Sequence, residues 1–266
     1  MNVLGVCIEG IGLWAPGWPD WPSARAGLRG EAQANAAVVT PSPHLLAAAE
    51  RRRAPLPVLL ACDVAAQACA ASTHAADTLA SVFASTHGDL VITDYMCSTL
   101  ATAPRELSPI RFHNSVHNAP AGYWTIAAHC HAASTSISGW YASFAVALLE
   151  AAVQALADNR PILLAAYDTP SAGPIVDVSP AACAFGVAML ISPAGDRRPT
   201  LGLGLHEGRA DEGLMMGLPA AFNELAAANP MAAQSLPLLA ALAAARPASL
   251  KIAAGAHSAL AIEVRA

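Results

Sequence analysis

The stretch from Arg111 to Asp168, RFHNSVHNAPAGYWTIAAHCHAASTSISGWYASFAVALLEAAVQALADNRPILLAAYD, limits the possible folds more than any other part of this chain. It reads as helix, short polar turn, long apolar helix and strand. Residues 119–128 form a helix with Pro120 in the first turn, where a missing N–H costs nothing. Ser134-Thr135-Ser136-Ile137-Ser138-Gly139 is a turn of small residues that opens directly into an apolar helix over 137–157. Asn159-Arg160-Pro161 stops that helix. Residues 162–166 then make a strand. A helix this apolar belongs in a core, and it is interrupted by Glu150 and Gln154, so it is not expected to span a membrane.

The flanking sequence continues the alternation. Residues 2–13 form a first strand, 14–22 a Trp/Pro-rich loop, and Ser23 caps a short helix over 24–29. A basic segment ends at Arg53, and a helical run of small apolar residues follows over 58–84, stopped by Gly88. DLVITD at 89–94 reads as a buried strand, followed by a short helix at 96–101. Further strands are expected at 184–191, 200–205, 250–254 and 260–265, helices at 220–228 and 231–245, and a glycine-rich loop at 207–219. The loop at 193–199 is where a two-half fold would divide. Strands alternating with helices make a layered α/β domain, and we expect one domain over residues 1–266.

Composition sharpens this. Only 12% of the residues are charged, against roughly 25% in ordinary soluble domains. Either another subunit covers part of the surface, or the chain comes from an alanine-rich proteome. The net charge of −5 leaves no basic footprint for nucleic acid. Residues 1–14 are apolar but contain Glu9 and lack a basic leader. Six scattered cysteines fit a reducing cytoplasm.

Several residue groups carry chemistry. His113, Asn114, His117 and Asn118 cluster in one polar segment. They could catalyse or hold a metal, but the simpler reading is that they hydrogen-bond buried backbone near an interface. His129-Cys130-His131 lacks the second ligand group a zinc site needs, so no metal or cofactor is expected. Ser136 would be a nucleophile only with a histidine such as His113, His117 or His129 in reach. The simpler reading is a small residue fitting a tight elbow.

The segments ERRRAPLPVLLA (50–61), VFASTHGDL (82–90) and above all SPIRFHNSVHNAPAGYWTIA (108–127) resemble the β-ketoacyl-synthase-like chain length factors of bacterial aryl polyene and xanthomonadin-type pigment clusters. The resemblance covers the chain to about residue 192 and more loosely beyond. It implies a thiolase-like layered αβα fold, mainly the N-terminal half of a ketosynthase. In an active condensing enzyme the elbow before the long helix holds a cysteine; by register Ser136 stands there. The two histidine motifs of such enzymes, HGTxTPxGD and KxxxGH, are absent, and Lys251, His206 and His257 reproduce neither spacing. Decarboxylative condensation needs a thiolate to hold the chain and histidine donors for the enolate. The resemblance therefore implies a non-catalytic cytoplasmic subunit that pairs with an active ketosynthase and shapes its acyl pocket. The alternative is a serine-dependent acyl transferase, thioesterase or decarboxylase. Under the first reading Tyr123, Trp124, Ser138, Trp140 and Phe144 are pocket or interface candidates, together with the His113–Asn118 cluster. Arg51, Arg52 and Arg53 are candidates for docking an acidic acyl carrier protein.

Overall fold

A computed structural model describes residues 3–35, 37, 40–195 and 200–265. In chain order the elements are β1 (Leu4–Trp14), α1 (Trp21–Leu28), α2 (Ala48–Arg51), α3 (Leu56–Ala70), β2 (Ala80–Ala84), α4 (Leu90–Thr102), α5 (Pro109–Asn114), α6 (Ala119–Ala127), β3 (Ser134–Ile137), α7 (Ser143–Asp158), β4 (Ile162–Asp168), β5 (Phe185–Pro193), β6 (Leu201–Glu207), α8 (Ala220–Ala228), α9 (Pro230–Ala244), β7 (Ala248–Ala253) and β8 (Ser258–Val264). Residue 2 and residues 196–199, within the expected first strand and the expected dividing loop, lie outside the described residues.

Among the described residues, eight strands join one sheet in the order β3-β2-β4-β5-β1-β6-β8-β7. β2 runs parallel to both β3 and β4, and the remaining pairs are antiparallel. The central strands are buried on both faces. Every residue of β2 and β4 is buried, so their sequences show no polar alternation. One core lies between the sheet and α7 with α9, and it also takes in Leu250, Ile252, Leu260 and Ile262 from β7 and β8. The second core packs α3 and α6 on the opposite face, around Val64, Trp124 and Tyr167. Together these are the expected αβα layers. The segment Trp140–Asp158 is apolar and long enough to cross a membrane by composition, yet 50% of it is buried in the fold.

Four local expectations change. The run over 58–84 is not one helix: α3 ends at Ala70 and residues 80–84 are β2. A strand buried on both faces is a continuous apolar run, which periodicity cannot tell from a buried helix. DLVITD is not a strand. Asp89 caps α4 by accepting from Ile92 N at 2.9 Å, and a filled cap outweighs the β-branched propensity of Val91 and Ile92. In α1 the cap is Asp20 rather than Ser23, with Ser23 N the donor at 2.8 Å. The polar turn at 134–139 is half strand: Ser134–Ile137 pairs with Ser81–Ala84, and the long helix begins only at Ser143.

The join between α3 and β1 depends on missing side chains. A Cβ on Gly12 would overlap the Val64 carbonyl and come within 2.8 Å of Gln67 Cβ, and one on Gly10 would overlap the Ala68 carbonyl. Gln67 completes the contact by accepting from Leu13 N at 3.1 Å and donating to Pro19 O at 3.0 Å. Overpacking at such a contact costs about 1–3 kcal/mol. Gly12→Ala should therefore lower the thermal midpoint by about 3–10 °C in a circular dichroism melt, while Gly122→Ala, which meets nothing within 4 Å, should leave it unchanged or raise it.

Candidate functional site

Open α/β sheets bind ligands beyond the carboxyl ends of their parallel strands. Here those ends are Ser85-Thr86 after β2, Ser138-Gly139-Trp140 after β3, and Asp168 closing β4. They are tied into one knot. The buried Asp168 carboxylate accepts from Ser85 Oγ at 2.9 Å, Thr86 N at 2.8 Å and Thr86 Oγ1 at 2.7 Å. Ser138 Oγ donates to Thr86 O at 2.9 Å. His117 Nε2 lies 3.0 Å from Ser85 O, fixing the segment before α6 onto the end of β2. Asn229 donates from Nδ2 to Asp168 O (3.2 Å) and Cys183 O (2.9 Å), and its Oδ1 caps α9 at Met231 N and Ala232 N.

The elbow is at Gly139–Trp140. Trp140 has φ 54°, in the left-handed region. That is costly for a bulky residue and persists only where the surroundings enforce it. Ser143 Oγ accepts from Gly139 N at 3.0 Å and donates to Trp140 O at 2.6 Å. The indole stands edge-on to His87, with centroids 4.9 Å apart, and to Tyr141 at 5.2 Å. Tyr141 in turn donates to Val178 O at 3.0 Å. Ser136 is not at this bend. It sits inside β3 opposite Phe83, four residues before Trp140.

The other candidates separate into groups. His113, Asn118 and Tyr123 line a groove of about 320 Å³ with Glu50, Val116 and Ile126. Asn114 is buried and accepts from Tyr123 Oη at 3.1 Å. Trp124 and Phe144 are both 0% exposed and belong to the two cores, so neither lines an accessible surface. Arg51 donates to Pro43 O at 3.2 Å, and Arg52 is exposed. Arg53 shares a cleft of about 450 Å³ with Arg111, Asp89 and Thr169. Arg111 also stacks over the Tyr95 ring at 3.9 Å. His129 and His131 are exposed while Cys130 is buried and donates to Leu79 O. Among the described residues no three His, Cys, Asp or Glu side chains gather to hold a metal.

Sequence reasoning missed Asp168, His87 and Asn229. Asp168 had a signal, a lone carboxylate ending an apolar strand, and Asn229 stands before Pro230 in the cap pattern of a helix. His87 had none. Its Nε2 lies 2.9 Å from Ser179 Oγ, a ring-to-hydroxyl hydrogen bond, but Ser179 is only 1% exposed. Burial and then the charge of His117 hold His87 below the usual imidazole range, so it is neutral near pH 7.

Residues 18–211 match the family described as Beta-ketoacyl synthase, N-terminal domain. The chain belongs to this family. Comparison with curated protein sequences gives no match. A chain of the ketosynthase (ApeO) in complex with its chain length factor (ApeC) from Xenorhabdus doucetiae superposes with a TM-score of 0.72 at 22% identity, over 98% of this chain and 99% of that one. A chain of the ishigamide ketosynthase/chain length factor gives 0.69 at 16% identity, over 98% and 100%. A β-ketoacyl synthase from Burkholderia phymatum STM815 gives 0.56 at 14% identity, over 86% of this chain but 69% of its own. At these identities the likeness is one of fold: the thiolase-like layers of a ketosynthase N-terminal domain.

Burial pushes Asp168 up to about 6, against hydrogen bonds from Thr86 and Ser85 that pull it down. The folded chain therefore holds this proton more tightly than the unfolded one. The stability it contributes is complete below the ordinary carboxylate value near 3.8 and is lost as pH rises to about 6. Relative to Asp168→Asn, the wild type should gain roughly 1–2 kcal/mol between pH 8 and pH 5 in urea unfolding.

Proposed function

We propose that this chain is a non-catalytic chain length factor, which pairs with an active β-ketoacyl synthase and shapes the far end of its acyl or polyene pocket. The observation that carries this is the elbow. Where a ketosynthase of the family would present its nucleophile, the strained residue is Trp140, which has no nucleophilic atom and is 45% exposed. No cysteine stands between residues 131 and 182. Burial pushes the Cys62 and Cys69 thiols up to about 12, the reverse of what an attacking thiolate requires. The serine-enzyme alternative finds little support: no histidine is hydrogen-bonded to Ser136 among the described residues, and Ser179 is buried.

The surface around the elbow supports a partner. β3 is an edge strand. Ser81 N donates to Ala133 O and Ser85 N to Ile137 O, and this parallel register turns the N–H and C=O of Ser134 and Ser136 outward. An edge with outward-facing amides is a template for another chain. Ile126, on α6, which packs against β3, is 70% exposed, and Val178, whose carbonyl accepts from Tyr141, is 62% exposed. The opposite edge, β7, is occupied: Lys251 N donates to Asp211 Oδ2 at 2.7 Å and Asp211 N to Lys251 O at 2.9 Å. We assign the outward edge of β3, with Ile126 and Val178, to the synthase, Trp140 to the pocket end, and Arg51, Arg52 and Arg53 to an acidic acyl carrier protein. The assembly is cytoplasmic, and residues 1–266 act as one domain.

Co-expression with the ketosynthase encoded nearest to it, followed by size exclusion with mass detection, tests the pairing. A one-to-one complex is expected, retained by Ser136→Ala and lost by Ser136→Pro, which removes an outward N–H. Ile126→Asp should weaken it at least tenfold, about 1.4 kcal/mol. In the active complex Trp140→Ala should lengthen the product by one or more two-carbon units, read by mass spectrometry. Thioester turnover by the chain alone, abolished by a serine substitution, would overturn the proposal.

A further inference from the structure

The sheet has a notch at the end away from the elbow. β1 pairs with β5 from Val6 to Trp14, but with β6 only from Leu4 to Val6, because β6 begins at Leu201. Beyond Val6 that flank of β1 has no neighbouring strand among the described residues. Ile8 stands opposite Ile191, which stands opposite Ile162, the first residue of β4. The elbow lies past the last residue of that strand, Asp168. α1 and α9 wall the notch from one face, and Arg29 Nε fastens them together by donating to Ala243 O at 2.6 Å. A cleft of about 340 Å³ remains, lined by Ile8, Ile11, Trp21, Leu242 and Val264. Its size falls within the roughly 300–1,000 Å³ of small-molecule sites.

The polar lining is Thr200 with Arg25, Arg246 and Arg265. Thr200 Oγ1 accepts from Ile8 N at 2.8 Å and donates to Val6 O at 3.4 Å, so it is spent within the fold. Arg265 pairs with Glu263 at 2.9 Å. Arg25 and Arg246 are exposed and have no carboxylate partner among the described residues. No acidic side chain is among the described residues of the lining, in a chain whose net charge is −5. Cations are favoured at helix carboxyl ends, but at α9 Arg29 already meets a terminal carbonyl. Unpaired guanidinium forks match carboxylate and phosphate oxygens. With no neutral polar side chain unspent, hydroxyls on a ligand's body would be buried unmet. The lining therefore suits an anionic head on a plain apolar body.

We propose that this notch binds a compact amphipathic anion, its carboxylate or phosphate head held by Arg25 and Arg246 and its apolar body against Trp21 and Ile11. The inference does not rest on pairing with a synthase, because every group belongs to this chain and lies away from the elbow.

The test titrates the full chain with 8-anilino-1-naphthalenesulfonate, an aromatic anion that fluoresces more strongly out of water, beside N-phenyl-1-naphthylamine, the same skeleton without its charge. Saturable one-to-one binding of the sulfonate is expected, at least about tenfold tighter than the amine and weakened by salt at about 1 M. Arg25→Gln with Arg246→Gln should weaken the sulfonate at least about tenfold and leave the amine unchanged. Leu242→Trp should fill the cleft and abolish both. If that variant does not fold, Trp21→Ala removes a wall and should weaken both. Displacement by 1-naphthoate against 1-naphthyl phosphate tells which head the notch prefers, and displacement by neither overturns the site. Non-saturable binding, equal affinity for the two dyes, or binding unchanged in the folded double variant also overturns it. Pairing is read separately by size exclusion, so loss of the complex with sulfonate binding intact sinks only the partner reading.

Discussion

The fold around the elbow hangs on one buried carboxylate. Asp168 closes β4, and its oxygens hold the segment that leaves β2 through Ser85 and Thr86. Ser138 joins the end of β3 to the same segment, and Asn229 brings the start of α9 onto the Asp168 carbonyl. An ionised group taken out of water is tolerated only when its lone pairs are met. Three donors meet this one, and its residual cost shows as a raised affinity for a proton. The knot fixes where Trp140 stands relative to His87, and so fixes the shape of the surface that any partner would meet.

Much of the outer architecture was legible in the chain. The helix at 119–127, the strand at 162–168, the helices flanking Pro230 and the closing strands all follow from apolar periodicity and proline placement. The failures share a cause. β2 is buried on both faces, so its alanines and valine give no alternation, and it merges with α3 in the sequence. Val91 and Ile92 look like a strand until the Asp89 cap is seen. At the elbow, STSI contains nothing that separates a polar turn from a short edge strand, because the partner that decides it, Ser81–Ala84, lies more than fifty residues earlier.

The same limit applied to the candidate site. Register counting put Ser136 at the bend, whereas the bend is set by backbone geometry at Trp140, which no spacing rule encodes. The HNSVHN cluster proved to be two things: His117 anchors the end of β2, while His113 and Asn118 line an outer groove with Tyr123. Trp124 and Phe144 turned inward, since an aromatic on a helix with two apolar faces can serve either side. The residues that knit the centre together, Asp168 and Asn229, are ordinary polar residues whose role appears only when strand ends are brought side by side.

The open flank of β3 has a consequence for the economy of the cell. A sheet edge with outward amides and small serine side chains does not distinguish strongly between the intended strand and any other extended chain. Copies made in excess of a partner would be drawn toward one another or toward quality-control machinery. Under the proposed pairing, a chain of this design is best made in step with its counterpart, from a shared transcript and at matched translation. Its abundance would then track that of the counterpart, and its own folding free energy would matter less.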